Sequence, residues 1–229
     1  MTYRQPLRFI SALALTVAVF LAAYYAPKII RIPLGSFIPS SFVTHSFMAG
    51  LSIAAMWLIS KGKLSAFGFR MGTYKFSPRI LLWVLPTAAL ATLQAITLPH
   101  GQTPHGFIQL SKIQTVIFIW IYSSVCEETL VRGLLQTLLG KPAQAGAAIG
   151  RKLSLPVVVS GVFFGAMHLV LIRLIGSAAI PIAVMATFLG LIAAHYRERT
   201  GSLLPAFFVH ALFNIGGSLP LWIIMWIRG

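Results

Sequence analysis

Acidic side chains are nearly missing from this chain. Among its 229 residues there are three: Glu127, Glu128 and Glu198. Charged residues make up 9% against 58% hydrophobic, with a mean hydropathy of +0.87, which excludes an ordinary soluble globular profile. One cysteine, Cys126, excludes an internal disulfide and says little about redox compartment. No polar linker is long enough to separate two domains, so residues 1–229 read as a single integral membrane domain. Internal repeats and low-complexity tracts are absent as well. The net charge of +15 could suggest nucleic acid. The cations lie mostly in short loops, however, with no aromatic-interleaved basic patch. Membrane topology and anionic lipid headgroups explain them better, and no nucleic-acid partner is expected.

What the chain does have is repeated apolar runs of about 20 residues. They cover Leu7–Ala26, Phe42–Ile59, Ile80–Leu98, Lys112–Leu139, Leu155–Ile175, Ser177–Tyr196 and Leu203–Ile227. The prediction is an all-α fold, a polytopic helical membrane bundle of about seven transmembrane helices. Pro86 predicts a kink in the third. The first run follows Arg4 and Arg8 and resembles a signal peptide. Its length and the spans behind it favour a retained helix, with cleavage as the alternative.

Between the second and third runs, Lys61–Pro78 mixes Lys61, Lys63, Arg70 and Lys75 with Leu64, Phe67, Phe69, Tyr74 and Phe76. That pattern fits a short amphipathic segment at the headgroups, with a solvated basic loop as the plainer reading. Seven spans place Arg4, Arg8, Lys61, Lys63, Arg70, Lys75, Arg79, Lys141, Arg151, Lys152, Arg197 and Arg199 on one side. Lys28, Arg31, Lys112, Arg173 and Arg228 fall on the other. The excess predicts a cytoplasmic N-terminus and an outer C-terminus. The compact chain fits a prokaryotic inner or plasma membrane.

Glu127 and Glu128 fall inside the fourth apolar run. A charge at membrane depth costs about 3 kcal/mol or more, so two adjacent acids there mark a functional site. Depth along each helix supports this. At ~1.5 Å per residue, Glu127 and His168 lie roughly 18 and 20 Å in from the cytoplasmic ends of their helices. On the last helix, His210 and Asn214 lie roughly 10 and 16 Å in, within the same layer.

Spacing assigns partners. Glu128 and Arg132 are i,i+4 and able to pair, which lowers the cost of burying both. Glu127 points about 100° away from that pair and stays free of it. His210 and Asn214 share a face, as do Phe164 and His168. Gly161 and Gly165 form a small-xxx-small step for a close helix neighbour.

A carboxylate in low dielectric can take a proton from water, and histidine can share it. Asparagine and histidine donors can hold an oxyanion. Each residue alone has a simpler use. Glu128–Arg132 could be a packing ion pair, His168 a hydrogen-bonded core residue, and Asn214 interhelical glue. Ser123, Ser124 and Cys126 read as packing residues, with no G-x-S-x-G context for a nucleophile. His45 reads as an interfacial histidine without a role, and His195 and Glu198 as interfacial too. His100 and His105 have no Cys, Asp or Glu nearby to complete a metal site. Convergence of the polar stations at one depth is what favours a hydrolytic site.

The order Glu127-Glu128-Thr129-Leu130-Val131-Arg132, Phe164-Gly165-Ala166-Met167-His168, His210-Ala211-Leu212-Phe213-Asn214 resembles the EExxxR, FxxxH and HxxxN pattern of a known family. That family is the CAAX protease and bacteriocin-processing family of intramembrane glutamic proteases, related to type II CAAX prenyl endopeptidases. The resemblance covers residues 112–216, taken as the catalytic core helices, and no motif position departs from it. It implies that Glu127 and His168 activate water and that His210 and Asn214 form the oxyanion hole. Glu128, Arg132 and Phe164 would support them.

The implied partners are the lipid bilayer and a membrane-associated protein or peptide, prenylated or not. Nothing sets an oligomeric state. No cofactor is implied. Two rivals remain: a zinc protease ligated by Glu127, His168 and His210, although no HExxH is present, and a non-enzymatic proton-coupled transporter or scaffold.

Overall fold

The computed structural model describes residues 4–33, 35–72, 78–97, 110–140, 148–149 and 153–228. His100, His105, Tyr74, Lys75, Phe76, Lys141, Arg151 and Lys152 lie outside the described residues, so the expectations attached to them find no counterpart here.

The described chain is an all-helical bundle, apart from the two-residue strands β1 (Ala148–Ile149) and β2 (Leu153–Ser154), which pair antiparallel. Helices α1 (Arg4–Ile29) and α2 (Ser41–Ser60) pack together. Helix α3 (Leu85–Thr97) is entered through the 3₁₀ turn Pro78–Val84. The sequence predicts a kink at Pro86, but Pro86 does not lie in a helix interior. It sits in the first turn of α3, where its missing N–H has no intrahelical partner to lose.

Helix α4 runs through 112–138. Ser111 starts it with a capping box: its hydroxyl accepts from the Gln114 amide, and the Gln114 side chain accepts from the Ser111 amide. Two π-wound stretches, Thr115–Ser123 and Thr129–Leu135, flank the α-helical turn Ser124–Glu128 that carries the acids. Widened turns of this kind are frequent at functional sites.

Helix α5 (Leu155–Met167) is capped by Ser154 and continues as a 3₁₀ turn at His168–Leu171 and a short helix at Ile172–Ile175. Gly176 (φ 60°) reverses the chain into α6 (Ala179–Thr200). Gly201 (φ 69°) ends α6, and α7 (Leu204–Arg228) follows.

Every residue of Thr129–Leu135 in α4 is buried, with α1, α2, α5 and α6 packed around this stretch. The outer surface is apolar: Leu58, Leu93, Ile113, Leu174 and Trp226 are all exposed. That is the reverse of a soluble protein and matches a hydrocarbon solvent. Four stretches are long and apolar enough to cross a membrane: Pro6–Ile29, Ser41–Ser60, Leu155–Thr200 and Leu204–Ile224. The third, at 46 residues, contains the reversal at Gly176.

The α5–α6 hairpin owes its closeness to glycine. A methyl group on Gly165 would lie 2.7 Å from the Ala183 carbonyl, and one on Gly190 would lie 2.7 Å from the Gly161 carbonyl. Backbone stands against backbone, as in small-residue membrane packing.

The described part of the basic stretch Lys61–Pro78 packs into the bundle. Its 3₁₀ turn Leu64–Phe67 buries Phe67. Arg70 Nε donates to the Gly201 carbonyl at 2.8 Å, and the Leu203 amide donates to the Gly68 carbonyl at 3.0 Å. The stretch is thereby tied to the α6–α7 link.

Gly165→Ala should force α5 from α6 and lower stability by about 1–3 kcal/mol, the usual cost of overpacking. A fall in the thermal midpoint of the detergent-solubilised chain, against little change for Gly217→Ala in open space, checks this.

Candidate active site

The two glutamates of α4 have separate surroundings. Glu128 is fully buried. One of its oxygens faces Arg132 Nε at 3.1 Å, and the other accepts from His210 Nδ1 at 3.0 Å. Arg132 is also fully buried. Its Nη2 donates to the Gly190 carbonyl of α6 at 2.8 Å, and its guanidinium lies 4.5 Å from the centre of the Phe164 ring. Phe164 in turn stands 4.9 Å from the His168 ring and 5.3 Å, edge on, from the His210 ring. One aromatic plate thus supports the arginine and both motif histidines.

Glu127 faces the other way. Its Oε1 lies 3.1 Å from His45 Nε2. Its Oε2 lies 3.9 Å from His168 Nε2 and 3.9 Å from His210 Nε2, with no hydrogen-bond partner among the described residues. Those separations are too long for direct hydrogen bonds and suit a bridging water. The Glu127 side chain keeps 11% exposure and His168 keeps 21%, so the gap is nearly dry yet reachable.

Local hydrogen bonds fix which nitrogens face the gap. His168 Nδ1 lies 2.8 Å from the Phe164 carbonyl, which can only accept, so Nδ1 carries the proton. His210 Nδ1 likewise donates to the Glu128 carboxylate. In both rings Nε2 is the atom turned to Glu127.

The structure therefore brings Glu127, His168 and His210 together, with Glu128, Arg132 and Phe164 behind them. Asn214 does not join them as the sequence suggested. Its Nδ2 donates to the Ile119 carbonyl at 2.9 Å and to Ser124 Oγ at 3.0 Å. Both amide protons are occupied, and the side chain ties α7 to α4. Ser123 and Ser124 donate their hydroxyl protons to carbonyls of their own helix, at Ile119 and Trp120, and Cys126 is buried. None of the three is presented as a nucleophile.

By sequence His45 reads as an interfacial histidine. The structure places it against Glu127, 82 positions away along the chain. The only sequence signal was its position in an apolar run. Glu198 accepts a short hydrogen bond from the Ser154 hydroxyl and so braces the start of α5 from α6.

Among the described residues, no group of three His, Cys, Asp or Glu stands in metal-holding geometry. Two cavities of about 630 and 530 Å³ lie away from the glutamates and share Trp83 and Tyr196. No motif residue lines either one.

Residues 109–216 match the family model described as type II CAAX prenyl endopeptidase Rce1-like. This segment belongs to the CAAX protease family. No curated protein and no solved structure matches the chain. The matched segment runs from the start of α4 into α7 and holds Glu127, Glu128, Arg132, Phe164, His168, His210 and Asn214. His45 lies outside it. The apolar helices and the matched segment together support an integral membrane protein whose residues 109–216 resemble a protease family.

Arg132→Met should be far more damaging than an exposed substitution, because it strands the buried Glu128 carboxylate. A loss of about 3–5 kcal/mol is expected. Glu128→Leu/Arg132→Met should recover part of that loss, because no charge of the pair is then left alone. Equilibrium unfolding of both variants in bicelles is the check.

Proposed function

We propose that this chain is an intramembrane endopeptidase that hydrolyses a peptide bond in a membrane-associated or lipidated protein, using water activated by Glu127 and His168. The observation that carries the reading is the free Glu127 Oε2 facing two imidazole Nε2 atoms, each 3.9 Å away.

A water in that gap meets two acceptors, Glu127 Oε2 and the lone pair on His168 Nε2. With both its protons so engaged, its oxygen lone pair is left for a carbonyl carbon. As the O–C bond forms, one water proton passes to Oε2. His210, with a second proton on Nε2, donates to the oxyanion, while Glu128 steadies the ring through Nδ1. The proton on Glu127 then passes to the departing amine as the C–N bond breaks. Asn214 acts as a strut in this scheme and reaches an oxyanion only by releasing Ile119 or Ser124.

The family match and the site's place among apolar helices support this substrate class. The chain would cross a prokaryotic inner or plasma membrane seven times, with its N-terminus in the cytoplasm. Support for that count comes from the two arms of the α5–α6 hairpin. It also comes from α4, whose 27 residues (112–138) reach about 40 Å.

Glu127→Gln and His168→Ala should each reduce cleavage by about 100-fold or more while leaving the protein folded. Mass spectrometry of membrane-protein termini from cells with wild-type or variant chain gives the readout. Wild-type termini that persist in Glu127→Gln cells would overturn the proposal. Cleavage by purified protein should also survive a strong chelator, and loss of activity restored by zinc would favour a metalloprotease instead.

A further inference from the structure

The family match begins at residue 109 and leaves α2 out, yet among the described residues the shortest side-chain polar contact to Glu127 comes from α2. We propose that His45 is the positioning residue of the hydrolytic site, holding Glu127 by Oε1 so that Oε2 alone faces the water; this rests on the function proposed above.

The argument starts with the ring's own helix. His45 Nδ1 lies 2.7 Å from the Ser41 carbonyl, one helical turn back. A carbonyl oxygen can only accept, so Nδ1 carries a proton and the ring's orientation is set. The remaining nitrogen, Nε2, lies 3.1 Å from Glu127 Oε1. A hydrogen bond of that length between two atoms with lone pairs requires one proton between them. Carried by Nε2, that proton makes an imidazolium beside a carboxylate. Carried by Oε1, it makes a neutral pair. Both arrangements occupy Oε1; in the neutral pair Oε2 takes a proton from water only as the Oε1 proton passes to His45 Nε2.

The surroundings hold His45 in place. Tyr122 of α4 lies edge to face with its ring at 6.4 Å. Tyr122 is itself fixed, stacked on Phe42 at 5.0 Å and bonded through its hydroxyl to Ser46 at 2.8 Å. Phe42, His45 and Ser46 thus form a contact surface on α2 against α4. The His45 side chain is 13% exposed, which suits a group meeting a water-reachable carboxylate rather than lipid.

Direct contact also separates His45 from the motif histidines. His168 and His210 stand at 3.9 Å, beyond hydrogen-bond distance, whereas His45 lies 3.1 Å from the carboxylate. In the hydrolytic cycle His45 would exchange no atom with substrate. It would keep the carboxylate in one rotamer while Oε2 gains and gives up a proton. A loosely held general base misplaces the water, and displacement of about 1 Å can cost about 100-fold in rate.

Two measurements on the full chain test this. The first is nitrogen NMR of ¹⁵N-imidazole-labelled protein in lipid nanodiscs, with His45 signals assigned by their loss in His45→Gln. Wild type should show Nε2 as a protonated or proton-sharing nitrogen. In Glu127→Gln it should become a lone-pair nitrogen accepting from the new amide. Identical His45 signals in the two proteins would overturn the proposal.

The second compares membrane-protein termini from cells carrying wild type, Glu127→Ala, His45→Leu or His45→Gln. His45→Leu should lose about 100-fold in cleavage. His45→Gln, whose amide N–H can replace Nε2–H, should keep most of it. Wild-type cleavage by His45→Leu, or equal loss in both His45 variants with equally lowered thermal midpoints, would sink the positioning role. If wild type and Glu127→Ala give the same termini, the hydrolase reading fails, and the NMR comparison still decides whether His45 holds Glu127.

Discussion

A carboxylate and a guanidinium with no access to water organise the centre of this molecule. Glu128 and Arg132 are both fully buried, and hydrocarbon offers neither of them a partner. The protein must supply every contact itself. The contacts it does supply come from three other helices: the Gly190 carbonyl of α6, the Phe164 ring of α5 and His210 Nδ1 of α7, while Arg132 Nη1 has no hydrogen-bond partner among the described residues. One side-chain pair on α4 therefore fixes where three neighbours stand.

That constraint explains features that look unrelated along the chain. Gly161, Gly165 and Gly190 allow α5 and α6 to meet backbone to backbone, which brings Phe164 and the Gly190 carbonyl to the same arginine. His210 is oriented by Glu128, so its other nitrogen faces Glu127. The motif glutamates divide the work by direction. One is sealed among supports, and the other looks into a gap that water can reach.

Much of this was legible from residue spacing. Glu128 and Arg132 are four apart on one helix, and so are Phe164 and His168, so local geometry alone makes them neighbours. Glu127 is one of three acids in the sequence, and helix rise predicts comparable depths for His168 and His210. Spacing does not give the direction of the Asn214 side chain, which depends on α4 and the Ile119 carbonyl and Ser124 hydroxyl it offers. Pro86 was misread because apolar content does not show where a 3₁₀ turn becomes an α-helix. The π-wound stretches of α4 left no visible mark in composition.

By itself the sequence determined the solvent of this protein, its helical character and the chemical identity of the glutamate and histidine stations. Those follow from hydropathy, from the helical repeat and from residues only a few positions apart. Tertiary structure alone decided that His45 of α2 meets Glu127, that Asn214 turns away, and that Glu127 Oε2 is the oxygen left open. Such outcomes depend on the rotation of one helix against another, which is set by packing among residues far apart in the chain.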